Sequence, residues 1–536
     1  MKTIEWFFRK WFWAVLAWFK AAANKPLVIP LPPASCGSGH VITPVPLRQA
    51  IAGLPIDSVL FCPPEQIPAD ERSRSKTLFY KLQVWLYSAW SPMQAGLPNI
   101  SSDPDAALAG AYTWLHRKRF GPPVLPAEYL ASPDLGQLAV RGPYACYTRK
   151  CADASADASA DASAERNAEA SADGSFEWDL RSCADFEHHE GLLRLGVRVV
   201  FAVDATQRSL RASLIESALG RSRPGDRGWE LAKRLALCTA TTHLSLVRHF
   251  CWVHLAASAQ VAVATRNHLS ADHPLIRLLW PYLYATQQSN DTVTRGQMLP
   301  GGDFETVYSY SFEGLCRLFD QTYRECSFGM NDPVADARAR QVLGQGFDTP
   351  TEDNLAALFE LMLAFARDYL ALYYPHAAGE PATPGLHNDP ALAAWLDALN
   401  RLVPNGVGVS TADFNFDGLA RLVASIIYFA SAQHEIAGGF LWNYQLWTHR
   451  QPVRVYASGQ PEPIDVYQRL VNANYNLNVK RRALISDFSG MALDSQGAAS
   501  MQRFCLRLEA LQSAMESEPW AVWKLYPRAL KVNINA

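Results

Sequence analysis

A chain of 536 residues that is 49% apolar can bury a large core, either as one large unit or as about two to four ordinary domains. With 49 basic and 51 acidic residues its formal net charge is −2, so there is no electrostatic case for nucleic acid, and no basic-aromatic stretch supplies one. The ten cysteines include no Cys-x-x-Cys pair, Cys146 and Cys151 being the nearest, which excludes a zinc knuckle or a disulfide framework and leaves reduced, mostly buried thiols.

The first twenty residues, MKTIEWFFRKWFWAVLAWFK, crowd Trp and Phe around Glu5, Arg9 and Lys10. Embedded charge argues against a spanning helix, whereas aromatic residues with basic neighbours suit a helix lying in a membrane interface. Residues 1–23 are therefore expected to form an aromatic amphipathic helix, with 4–20 as the membrane-facing part. A lid over an apolar tunnel, a secretory signal cleaved near Ala21-Ala22-Ala23 and a helix packed on the body are the other readings. The chain is otherwise expected in the cytoplasm, peripherally membrane-associated if the interfacial reading holds.

From Asn24 to about Pro64 the chain is rich in Pro and Gly and should run extended along the surface. Helical patterning resumes in SKTLFYKLQVWLYSAW and DAALAGAYTWLHRKRF. Residues 152–174 repeat Ala-Asp-Ala-Ser without a large apolar residue, so they cannot bury a face and read as a low-complexity insertion. It separates an N-terminal part, 24–151, from the main part, 175–536. LLRLGVRVVFAVD is β-branched and reads as a strand at the edge of a helical body. DNLAALFELMLAFARDYLALYYP is apolar at three-to-four spacing and closes at Pro375. Regularly spaced strands are lacking upstream, so no β-barrel is expected ahead of the helical part.

The stretch Trp229 to Tyr284 holds five of the thirteen histidines, His243, His249, His254, His268 and His273, in an apolar run free of Gly. It reads as long buried helix. A single histidine on such a face is more often a core residue bonded to a carbonyl, but several at short spacing on one helix point to a metal, for which neutral imidazole is the commonest protein ligand.

The string Trp229, Ala232-Lys233, His-rich helix, His273-Pro274 and Leu278-Leu279-x-Pro281 resembles the iron helix of the lipoxygenases. ARLVASIIYFASAQHEIAGG resembles the second metal helix of that family, with Gln433-His434 present and Gly438 four residues beyond the histidine. The ending YPRALKVNINA is similar to the family's terminal segment, whose last carboxylate binds the metal. HNDPALAAWLDALN resembles an acidic, Trp-containing helix of the family. The pattern runs from about Trp229 to the end of the chain and implies a mainly α fold, a large lipoxygenase-like helical catalytic domain with a minor β component.

The resemblance implies a non-haem iron, one per chain, held by His243, His249, His434 and the Ala536 carboxylate, with Gln433 beside the ligands. Twenty residues separate Trp229 from His249, which puts His249 in the family's register and the first ligand at Leu244, one residue after His243. A π-bulge would absorb that slip. His249 and His254 have the His-x4-His ligand spacing by themselves, and that register stays open. Gly438 offers no side-chain ligand and leaves one position to water. In SNDTVTRG, Asn290, Thr294 and Arg295 fall where the family has an Asn and then a small residue followed by Arg, the small one, here Thr294, influencing where oxygen enters, with Thr294 and Arg295 as the implied substrate- and oxygen-positioning residues.

In this family iron cycles between ferrous and ferric states, a hydrogen atom leaves the methylene between two cis double bonds, and dioxygen traps the radical as a hydroperoxide. The implied partners are a polyunsaturated fatty acid or related acyl chain and molecular oxygen. The competing function is a lipoxygenase-fold protein whose metal site has decayed or been reassigned, acting as a lipid-binding module or a different oxidative enzyme.

Overall fold

The computed structural model describes residues 28–37, 42–72, 132–151, 175–375, 384–458, 482–517 and 525–532, except positions 413, 446, 448 and 449, together with the single positions Phe8, Trp11, Phe12, Val15, Leu78 and Leu82. The Ala/Asp/Ser repeat at 152–174 and nearly all of the two helical stretches at 75–90 and 105–120 lie outside the described residues.

The protein is mainly helical, as expected, with one sizeable sheet. The strand read over residues 192–204 is confined to β5 (Arg198–Asp204), part of a five-stranded antiparallel sheet. The order is β3 (Arg149–Lys150), β4 (Phe176–Asp179), β5, β6 (Ser209–Ser217) and β7 (Gly220–Ser222), apart from the two-residue pair β1 (Val45–Pro46) and β2 (Leu60–Phe61). The partner β6 was hidden by a bulge. Val200 pairs with Leu214 and Phe201 with Ala212, so Ser213 is an extra residue that shifts the alternation, and Leu210 and Ile215, five apart, are both buried.

The Pro-rich segment is not a surface ribbon. Leu47, Ile51, Leu54, Ile56, Val59 and Phe61 are all 2% exposed or less, because the prolines punctuate a series of apolar residues that enter the core.

Around the sheet and beyond it lie α1 (Trp229–His243), α2 (Ala259–His268), α3 (Pro274–Leu283), α4 (Thr286–Gln297), α5 (Phe312–Glu325), α6 (Pro350–Tyr373), α7 (Pro390–Leu402) and α8 (Phe416–Tyr428). Between α1 and α2 the chain does not stay α-helical: Leu244–Ser258 is a π-helix. After α8 two more π segments, Phe429–Gln433 and Glu435–Phe440, flank His434. Two large apolar clusters form the core. The sheet side takes Phe250, Cys251, Leu255, Ala256 and Ala437, while the helical side takes Val253, Ala257, Phe429, Ala432 and Ile436. Both π regions therefore straddle the seam between the clusters.

Caps explain several sequence landmarks. His273 caps α3, its Nδ1 accepting from the Leu275 amide at 3.1 Å, and its Nε2 lies 3.0 Å from Asp389 Oδ2. Asp389 in turn caps α7 by accepting from the amides of Ala391 and Leu392. Each cap precedes a proline at the first helical position, where a missing N–H costs nothing. At the start of α4, the buried Glu71 carboxylate accepts from the amides of Gln287 (2.9 Å) and Gln288 (3.2 Å) and pairs with Arg266 at 2.6 Å. An anion at a helix N-terminus is favoured by the unpaired amides there.

Candidate metal centre

His249 and His254 both rise from the π-helix, and their phase follows from its turns. On an α-helix five residues at about 100° each leave two side chains roughly 140° apart. Turns closed by i→i+5 hydrogen bonds bring the same interval nearly back into line. His434 comes from the other π region. Ligand nitrogens of His249, His254 and His434 all lie within 4.8 Å of one another, and this is the only such cluster of metal-ligating side chains among the described residues.

The inward nitrogens are the Nε2 atoms, 3.3 Å between His249 and His254 and 3.1 Å between His254 and His434. Their protonation follows from what the outer nitrogens touch. Asn290 donates through Nδ2 to the His254 carbonyl at 3.0 Å, which turns its Oδ1 toward His254 Nδ1 at 3.1 Å. That oxygen can only accept, so Nδ1 carries the proton and the Nε2 of neutral His254 is a bare lone pair. The buried carboxylate of Glu435 lies 3.3 Å from His434 Nδ1 and fixes the same tautomer there. Two lone pairs 3.1 Å apart repel one another, and a cation between them turns that repulsion into attraction. The residues present thus fit a divalent transition metal, and a neutral three-imidazole set suits iron among others.

Gly438 is packed against this cluster. A Cβ built there would lie 2.7 Å from His249 Nε2 and 2.9 Å from its Cε1, so the position admits no side chain while the ring stays in place.

The structure does not bring His243 to this centre, and the register favoured from the flanking landmarks is corrected on that point. His243 ends α1, before the π turns begin, and its six-residue interval to His249 is out of phase on either helix type. Its Nδ1 lies 2.9 Å from the Tyr147 hydroxyl, and its ring packs edge-on against Tyr147 and Trp252. Burial, with Arg248 nearby, pushes its pKa down to about 3, so it is a neutral, partnered core histidine. Gln433 is buried beside His434, and its Oε1 accepts from the Tyr428 hydroxyl at 3.2 Å. Thr294 is wholly buried in α4, not in a turn, with no partner for its hydroxyl among the described residues. Arg295 pairs one helical turn back with Asp291 at 2.8 Å. Ala536 lies outside the described residues. Sequence reasoning named Asn290 only for its place in the family pattern and missed its role beside His254, and it missed Glu435 altogether. Glu435 adjoins its histidine in the chain and could have been suspected, whereas Asn290 carried no signal for its role.

The chain is similar to known proteins both in sequence and in fold. A family profile described as Lipoxygenase matches residues 201–341. Linoleate 9S-lipoxygenase 2 of Oryza sativa subsp. japonica is 23% identical over 252 residues, which is 44% of this chain and 28% of that protein. Polyunsaturated fatty acid lipoxygenase ALOX15 of Bos taurus is 25% identical over 209 residues, 38% of this chain and 30% of that protein. The sequence match thus spans less than a third of either relative's length. In structure, a lipoxygenase solved anaerobically in complex with arachidonate superposes with a TM-score of 0.72 over 91% of this chain and 80% of that one, at 15% identity. The fold and the profile over residues 201–341 are similar to those of the lipoxygenases, and the chain resembles that family.

Proposed function

We propose that the chain is a non-haem iron dioxygenase that converts a polyunsaturated fatty acid, or a related unsaturated acyl chain, to its hydroperoxide. The observation that carries this is the set of inward Nε2 atoms of His249, His254 and His434, two of them held as bare donors by Asn290 and Glu435. Iron, when bound, supplies one-electron redox chemistry. The chain's own residues hold and orient it: the three histidines as donors, Asn290 and Glu435 keeping protons on the outer nitrogens, and Gly438 leaving room for the His249 ring. The Ala536 carboxylate belongs to the proposal on the strength of the resemblance alone. We assign Thr294 to oxygen placement, with Arg295 steadying α4 through Asp291, and Gln433 to holding the π segment through Tyr428. Relatives named for linoleate and a structure holding arachidonate support the substrate class. Residues 24–151 and 175–536 are proposed as one catalytic unit, supported by the core that Leu47, Tyr144 and Leu235 share.

Metal analysis and oxygen uptake test the proposal together. Chain purified with ferrous iron should retain about one iron and consume oxygen with linoleate, giving a hydroperoxide. Retained iron without oxygen uptake on linoleate or arachidonate would move the centre to different chemistry, and absence of retained iron would mean a lipid-binding module.

We further propose reversible association of the N-terminal helix with a membrane surface. No helix among the described residues is long and apolar enough to cross a membrane. Phe8, Trp11, Phe12 and Val15 are helical and 40–63% exposed, and they recur at the spacing of one apolar face. Co-sedimentation with anionic vesicles should fall when the chain starts at Lys25, and equal sedimentation of the two forms would remove this reading.

A further inference from the structure

Asn290 and Glu435 share one task at the metal centre and differ in charge. Both put an oxygen acceptor at the outer Nδ1 of a histidine, at 3.1 Å for His254 and 3.3 Å for His434, and so keep the inner Nε2 bare. At His254 a neutral amide is enough. At His434 the chain places a carboxylate that is 5% exposed, and burying a carboxylate costs more than burying an amide. The tautomer alone does not account for that extra cost.

The backbone leaves room for this carboxylate. Glu435 and Gly439 lie on the π segment Glu435–Phe440, and a Cβ at Gly439 would lie 2.7 Å from Glu435 Oε2 and 3.4 Å from its carboxyl carbon. At Gly438, one residue earlier, such an atom would meet the His249 ring. Two successive glycines thus leave space for two different parts of one centre, a donor ring and a negative charge. The charge on Glu435 reaches a bound ion across the His434 ring, whose Nδ1 faces the carboxylate and whose Nε2 lies 3.1 Å from His254 Nε2. In a low-dielectric interior a nearby negative charge attracts a trivalent ion more strongly than a divalent one, in proportion to the ion's charge. A carboxylate acceptor also makes the imidazole a stronger donor.

We propose that Glu435, acting through His434, biases the centre toward the ferric ion, and that its charge rather than its hydrogen bond does so. For the identity of the metal this rests on the iron reading above. Glu435 is not among the clustered donors, so it is a positioning residue whose effect passes through the His434 ring. Asn290, which carries no charge, sets the tautomer of His254 without such a bias.

The test is a redox titration of full-length, iron-loaded protein with dye mediators at one fixed pH, with ferrous affinity measured alongside. Glu435→Gln keeps an oxygen acceptor for Nδ1 and loses the charge. It should lower the ratio of ferric to ferrous affinity at least tenfold, a rise of about 60 mV or more in the midpoint potential of a one-electron couple. Glu435→Asp keeps the charge but withdraws it by one methylene, and it should recover part of the shift. Gly439→Ala, whose added methyl meets Glu435 Oε2 first, should raise the potential as well, and it decides the matter should Glu435→Gln not fold. A merely structural role would lower iron affinity and melting temperature in these variants and leave the potential unchanged. That result overturns the proposal, as does a shift in Glu435→Asp as large as in Glu435→Gln. Oxygen uptake of the same preparations separates the two proposals. A potential that responds to Glu435 in protein without oxygenase activity overturns the function and keeps the bias. An oxygenase whose potential ignores Glu435 overturns the bias alone, and a wild type that retains no iron overturns both.

Discussion

His254→Ala should lose stoichiometric iron, with at least a hundredfold fall in metal affinity, while His243→Ala keeps its iron. Losing a residue that merely orients a ligand costs about ten- to a hundredfold in affinity, so losing a donor sets a higher floor. His254 holds the central place among the three, its Nε2 within 3.3 Å of both others. His243→Ala removes the nearer of two partners of the Tyr147 hydroxyl, the Ala240 carbonyl at 3.5 Å being the other, a cost of about 1 kcal/mol in stability that has no bearing on the metal. Iron analysis of the two purified variants, with melting temperatures alongside, decides the matter. Iron kept by His254→Ala and lost by His243→Ala would restore the register that the flanking landmarks favoured.

Gly438→Ala should also fail to hold iron, with a loss of at least tenfold in affinity. Sequence logic says the opposite of this position: Gly438 stands where the family offers a further side-chain ligand, so Gly438→Asn ought to repair the site. In the structure the added Cβ meets the ring of His249 at 2.7 Å, and the closest atoms are the donor nitrogen and its neighbour. The ring can yield only by swinging, which carries Nε2 away from His254 and His434. Both variants are therefore expected to bind less iron than wild type, and tighter binding by Gly438→Asn in a metal titration would show that the His249 ring moves freely.

The resemblance, the helical build and two of the proposed ligands, His249 and His434, could be read from the residues because they depend on residue type and on apolar periodicity. The choice between His243 and His254 could not. It turned on helical phase, and every phase argument at 100° per residue assumes α turns, whereas Leu244–Ser258 is π throughout. A bulge of one residue was foreseen, but fifteen π residues were not, because i→i+5 turns leave no mark in hydropathy. The same kind of loss hid β6, where the extra residue at Ser213 breaks the period-two signal. The segment from Ile42 to Phe61 misled for a different reason: its prolines announced turns correctly, but the depth of the intervening apolar residues is decided by partners far away in the chain.

Glu71 has a consequence for how the chain assembles. It seals the first turn of α4, the helix that carries Asn290, from 216 residues upstream, and it also meets Arg266 from 195 residues upstream. Loop closure over such spans is late in folding, since its entropy is lost before any contact compensates for it. During synthesis at about 5–20 residues per second, Glu71 is made roughly 10–40 s before its partners. Over that interval the apolar residues from Ile42 to Phe61 have no core to enter, and they form a hydrophobic segment that needs shielding on the ribosome. The nascent chain therefore has its most vulnerable stage before the His249–His254 helix is complete, and growth temperature or chaperone supply should govern yield more than metal supply does.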